Sequence, residues 1–152
     1  MGLEQQIQDG IKAAMIAKDK VNLEALRAVK SEILLAKTAA GGAAKELADS
    51  DVIKLIQKLV KQHHESADLY KQNNRQDLAE NELAEAEHME GFLPKQLSAE
   101  DLEAELKKII AAVGATKISD LGKVMGTATK QLAGKAEGSA IVQAVKKLLS
   151  QL

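Results

Sequence analysis

The chain has 152 residues, 45% of them apolar but only 1% aromatic, and it contains no cysteine. That length serves one domain or two small ones, and burial of roughly 70% of the unfolded surface must rest on Leu, Ile, Val and Ala. The composition excludes disulfides, zinc–thiolate sites and thiol nucleophiles, suits a reducing cytosol, and leaves almost no rings on which nucleic-acid bases could stack. Net charge is −1 overall, yet residues 1–94 carry 12 Lys+Arg against 16 Asp+Glu, whereas residues 107–152 carry 8 Lys against Asp120 and Glu137 alone. The C-terminal part is therefore suited to an anionic partner, although lysines also serve simply to solvate helix surfaces. No apolar run reaches the roughly 18 residues of a membrane span. The first residues lack the basic and apolar blocks of a signal peptide, and Gln6 stands where a myristoylation signal needs Ser or Thr. A soluble, cytoplasmic protein is expected.

Leu3, Ile7, Ile11, Ala14 and Met15 mark a first helix by their period near 3.6, with Gly10 a weak point. Asp19 is placed to cap a second helix, which carries Leu23, Leu26, Val29, Ile33 and Leu34. The small residues Thr38 to Ala44 read as a loop, the most mobile part of this half. A third helix starts at Asp49 or Ser50 and repeats Val52, Ile56, Leu59, His63, Ala67 and Tyr70 on one stripe. Asn74 and Asp77 form a capping pair for a fourth. Its inner residues are Leu78, Leu83, Ala86, Met89 and Leu93, with Glu80, Glu82, Glu85, Glu87 and Glu90 mostly outside. Pro94 ends it.

Ser98 with Asp101 opens a fifth helix, bearing Leu102, Leu106, Ile109, Ile110 and Val113 and closed by Gly114. Ser119 or Asp120 caps a sixth, with Leu121, Val124, Met125, Ala128 and Leu132 inside and Gly134 as a left-handed terminator. Ser139 caps a seventh, with Ile141, Val142, Val145, Leu148 and Leu149 on one face. Every long apolar pattern is helical in period. The expected fold is all-α, an N-terminal four-helix bundle over 1–94 and a small three-helix domain over 95–152.

Gly122 and Gly126 lie four apart on the sixth helix. Mid-helix glycines cost about 1 kcal/mol each relative to alanine, so the backbone they bare has a use. Two uses fit: close packing against a neighbouring helix, or close approach of a ligand or an RNA backbone.

The segments Gly122-Lys123-Val124-Met125-Gly126 and Gly134-Lys135-Ala136-Glu137-Gly138, with Val142 and Val145, resemble the C-terminal signature of the GatB/YqeY family. Asp19-Lys20, Leu26-Arg27, Lys30-Ser31, Lys61, Glu65-Ser66, Arg75, Leu78 and Phe92-Leu93-Pro94-Lys95-Gln96 extend the resemblance over the whole chain, in the free-standing YqeY-like form. The family's unit also forms the tail of the amidotransferase B subunit, which corrects misacylated tRNA, and is appended to some glutaminyl-tRNA synthetases. In those tails it is associated with gripping the body of tRNA. One departure stands out: many relatives have Arg where this chain has His63.

Enzymatic and metal chemistry find little support. His63 and His64 are adjacent, so on a helix they point about 100° apart. Glu85-x-x-His88 matches half of a di-iron carboxylate motif, but Val60 and Lys61 stand where the second half would need its acid. The spacing from Gly126 to Gly134-Lys135 is too long for a phosphate loop and follows no strand. Ser66 and Ser139 have no base placed beside them by any recognisable pattern. No catalytic residue, metal or cofactor is expected, although the family is associated with amidotransferase (carbon–nitrogen ligase) activity.

What remains is an electropositive helical surface. Lys123 and Lys130, seven apart, share one helix face; Lys135, Lys146 and Lys147 follow, and the amides at the Ser139 helix start add a dipole-based anion site. With the bared backbone of Gly122 and Gly126, these residues form the expected RNA-binding site. The expectation is a non-catalytic binder of tRNA or structured RNA, an adaptor to tRNA-dependent amidation or aminoacylation, with an aminoacyl-tRNA synthetase or amidotransferase as partner. The alternative is a protein–protein module that binds a partner subunit through helical grooves.

Overall fold

The computed structural model describes residues 2–39, 41 and 46–152, and among them every regular element is helical. In chain order these are α1 (Leu3–Ala17), α2 (Lys20–Ala39), α3 (Asp49–Gln72), α4 (Gln76–Glu90), α5 (Ala99–Val113), a 3-10 turn (Ile118–Asp120), α6 (Leu121–Gln131) and α7 (Gly138–Ser150). They fall into two compact units, Met1–Leu93 and Pro94–Leu152, each with its own core.

In the first unit α1 packs on α2, α2 on α4, and α3 pairs with α4 along their lengths. Leu3, Ile7 and Ile11 meet Leu26, Val29 and Ile33, then Val52, Ile56 and Met89, so the apolar stripes close on one another. Lys18 takes a left-handed conformation (φ 56°) that turns the chain out of α1. The Asp19 carboxylate accepts the Asn22 amide at 3.2 Å, the cap expected of it. Asp49, at the start of α3, instead accepts the Leu3 amide at 2.9 Å and so caps α1 from 46 residues away. Gly10 lies against Leu26 and Phe92: a Cβ there would stand 2.8 Å from Leu26 Cδ1, so the weak point in the helix is a close approach.

Several local expectations change. Thr38 and Ala39 are the last residues described in α2 rather than loop, and Gly41 is a turn (φ 102°); Ala40 and residues 42–44 of the expected loop lie outside the described residues. Asn74 does not cap α4. It is itself left-handed (φ 58°) in the α3–α4 turn, Arg75 holds the N-cap position without a side-chain cap, and Asp77 pairs with Arg75 at 3.3 Å. On α4 the buried residues are Ala79, Ala86 and Met89, with Leu78 and Leu83 half-buried. Glu82 and Glu85 are half-buried and turned to His63 of α3, whereas Glu80, Glu87 and Glu90 are exposed. Burial pushes the Glu85 carboxyl above the usual carboxylate range; nearby His63 opposes this, and Glu82 and Glu24 add to it.

In the second unit α5, α6 and α7 pack around Leu106, Ile109, Val124, Ala128, Leu132, Ile141, Val145 and Leu149. Ser98 Oγ accepts the Asp101 amide at 3.1 Å, and Gly114 (φ 72°) closes α5 in the left-handed conformation. No described helix is long and apolar enough to cross a membrane.

Candidate functional site: an open glycine–lysine face

The 3-10 turn before α6 is held by Asp120. Its carboxylate accepts the Thr116 amide at 2.9 Å and the Lys117 amide at 3.3 Å. These amides, first Thr116 and then Lys117, with the charges of Lys117 and Lys123 beyond them, hold the Asp120 carboxyl below its usual range. Asp120 thus precedes α6 but turns back onto the preceding loop; it makes no side-chain cap to α6.

Val124 and Ala128 are fully buried, which fixes the inner side of α6. At 100° per residue, Gly122, Lys123, Gly126 and Lys130 then gather on the opposite side; all four are exposed. A Cβ added at Gly122 or at Gly126 would meet nothing within 4 Å. Close packing of a neighbouring helix is therefore not what the two glycines serve. They leave a strip of helix backbone bare, with lysines along its edge.

The turn after α6 is pinned from the start of the same unit. Leu132 ends the helix, Gly134 is left-handed (φ 77°), and the Lys135 amide donates to the Leu132 carbonyl at 3.0 Å. The Gln96 side-chain amide donates to the Gly134 carbonyl at 2.6 Å, and the Leu97 amide donates to the Lys135 carbonyl at 2.9 Å. Lys135 is thus an exposed side chain on a fixed backbone. Gln96 as its anchor was not foreseen, because a hydrogen bond spanning 38 residues leaves no trace in local spacing.

Ser139 does not cap α7. Glu137 holds the N-cap position (φ −71°, ψ 140°) with no side-chain cap, and Ser139 is exposed within the first turn. The helix begins two residues earlier than a Ser139 cap would place it, because Gly138 is already helical and the Glu137 carbonyl accepts the Ile141 amide at 3.0 Å. The amides of this turn still form the positive end of the helix dipole. Lys146 and Lys147 are both exposed but lie about 100° apart on α7. Lys147 lines a groove with Leu97, Leu102, Glu103, Glu137 and Leu148, a shallow space of about 460 Å³ between α5 and α7. Of the expected residues, Gly122, Lys123, Gly126 and Lys130 share one face of α6, Lys135 stands exposed in the turn after it, and Ser139, Lys146 and Lys147 lie on α7, Lys147 in a groove of mixed charge.

The chain matches the family of YqeY-like proteins over residues 4–149. It is also 28% identical, over 139 residues, to the altered inheritance of mitochondria protein 41 of Pyrenophora tritici-repentis, a protein named as mitochondrial; the match covers 90% of this chain and 75% of that protein. The chain belongs to the YqeY-like family.

Proposed function

We propose that the second unit is a non-catalytic binding surface for tRNA or similarly structured RNA, reached through its phosphates, and that the protein serves as an adaptor to tRNA-dependent amidation or aminoacylation. An aminoacyl-tRNA synthetase or amidotransferase is the protein partner in this reading, and the cytoplasm its compartment. The observation that carries it is the bare backbone at Gly122 and Gly126 beside exposed Lys123 and Lys130. A helix that gives up two side chains on an unpacked face sacrifices stability for surface shape. Lysines at the edge of such a face supply point charges for phosphate oxygens without reading bases. The 1% aromatic content fits the same picture, since a duplex-like backbone is gripped without stacking. The test is a titration of the purified protein against total tRNA at two salt concentrations, beside the Lys123→Glu/Lys130→Glu/Lys135→Glu variant. Binding that weakens with salt and vanishes in a folded triple variant is the expected outcome; equal affinity in that variant would remove the site.

A second reading has one observation in its favour. The groove between α5 and α7 is floored by Leu97, Leu102, Ala136, Ala140, Ala144 and Leu148, an apolar strip suited to a helix of a partner subunit. Association there would be insensitive to salt and would be lost on filling the groove with Ala140→Trp.

A further inference from the structure

His63 on α3 and Glu82 and Glu85 on α4 bring three potential ligand atoms within 4.8 Å of one another. His63 Nδ1 is in contact with Glu82 Oε2 and lies 3.6 Å from Glu85 Oε2. The three side chains are only 16%, 22% and 13% exposed. Glu24 of α2 adds a third carboxylate, exposed and close enough to Glu85 to hydrogen-bond with it. One imidazole nitrogen therefore faces two carboxylates, with Glu24 beside Glu85 as a third, and the four side chains come from three helices.

From this arrangement we infer that His63, Glu82 and Glu85 form a site for a divalent first-row transition-metal ion, with Glu24 as a further oxygen donor at its rim. The donor chemistry selects the ion class. Carboxylates alone suit Mg²⁺ or Ca²⁺, whereas an imidazole among them shifts preference towards Zn²⁺ and its neighbours. The scale is right as well: ligand atoms about 2.0–2.2 Å from a zinc ion lie about 3–4 Å apart, so small side-chain rotations from the present positions suffice. The ion would replace the His63–Glu82 contact and offset the crowded negative charge. Its role is that of a clip between α3 and α4, tied to α2 through Glu24. Glu82-x-x-Glu85 places both carboxylates on one face of α4, and His63 meets them only because α3 and α4 run side by side. Glu85-x-x-His88, the half-motif visible in the sequence, is a different pairing, and His88 is not among the converging ligand atoms.

The experiment is a calorimetric titration of the full, metal-stripped protein with Zn²⁺, with Mg²⁺ run in parallel. One equivalent of Zn²⁺ should bind, and the thermal midpoint should rise with Zn²⁺ but not with equimolar Mg²⁺. His63→Arg supplies a fixed cation to the same carboxylates, so it should keep the helical circular-dichroism signal yet weaken Zn²⁺ binding by at least about tenfold. Glu82→Gln/Glu85→Gln should do the same by removing two oxygen donors. Imidazole nitrogen resonances of the unmodified protein provide a readout that no variant's folding can confound. Zn²⁺ should move those of His63, leaving those of His64 and His88 in place. Absence of stoichiometric Zn²⁺ binding, undiminished binding in folded His63→Arg, or shifts at His64 or His88 in place of His63 would each overturn the assignment.

Discussion

The two units put their charges to opposite uses. In the first, charged side chains meet across helices: Lys37 of α2 is buried against Glu4 of α1, His63 faces Glu82 and Glu85, and His64 of α3 lies 3.1 Å from Glu90. In the second, Lys107 pairs with Glu103 and Lys108 with Glu105 along α5 itself, while the lysines of α6 and α7 stand exposed. Exposed pairs along one helix contribute little, about 0.3–0.5 kcal/mol. Charge in the first unit thus helps join helices to one another. In the second unit the core joins the helices, and the exposed lysines face outward, where a partner can meet them.

The largest expected effect comes from reversing that outward charge. Lys123→Glu, Lys130→Glu and Lys135→Glu together should abolish tRNA binding in a filter assay while helicity is retained, because three attractions to phosphate become three repulsions. Lysine-to-alanine variants taken singly should each lower the slope of log K against log salt by about 0.7–0.9 for every phosphate left without its lysine. An unchanged slope would break the contrast between the units.

Next in size is the core. Leu106 is fully buried in the second unit, so Leu106→Ala should cost about 2–5 kcal/mol. Measured by chemical denaturation together with tRNA binding, it should lose both stability and RNA affinity. Ile56→Ala, at an equally buried position in the first unit, should lower stability without an intrinsic change in affinity. Loss of RNA affinity by folded Ile56→Ala would show that the first unit takes part in binding.

The glycine strip gives a smaller but sharper test, since fold and function should move in opposite directions. Gly122→Ala and Gly126→Ala meet open space within α6, so each should stabilise the protein by about 0.5–1 kcal/mol. The same variants should weaken RNA binding, because a methyl group holds the phosphate backbone away. Stabilisation with affinity unchanged would show that bare backbone is not part of the surface.

The smallest effect is the pH dependence at Asp120. Its carboxyl is held below the usual value by the amides of Thr116 and Lys117, so the unfolded chain takes up its proton first as pH falls. The stability it confers is fully present above the ordinary carboxylate value and fades as pH drops through the lowered one. Asp120→Ala should therefore lower the thermal midpoint slightly at pH 7, and the gap should close in strongly acidic buffer. A gap that persists there would assign the effect to packing.

How much of this could be read from the residues depended on range. Apolar periodicity marked the helices, and the N-cap Ser98 and the left-handed glycines Gly114 and Gly134 behave as their chemistry requires. These are signals confined to one or two turns. What escaped was set by contacts across the chain. Asp49 caps α1 rather than its own helix, Gln96 fixes the turn after α6, and Ala79 is buried where the pattern favoured Leu78. Glu82 and Glu85 read as solvated because the packing of α3 along α4, not the periodicity of α4, decides which carboxylates face His63. The lysine face was legible as charge and spacing. Whether its glycines were packed or open required the position of every neighbouring helix.

If the second unit presents phosphate-binding charge, total tRNA will bind the full chain in a salt-dependent way, which a titration at two salt concentrations measures. Micromolar association at low salt that falls steeply at higher salt, and disappears in the folded triple lysine variant, is the predicted result. No association at low salt, or association indifferent to salt, would contradict it and turn attention to the apolar groove between α5 and α7.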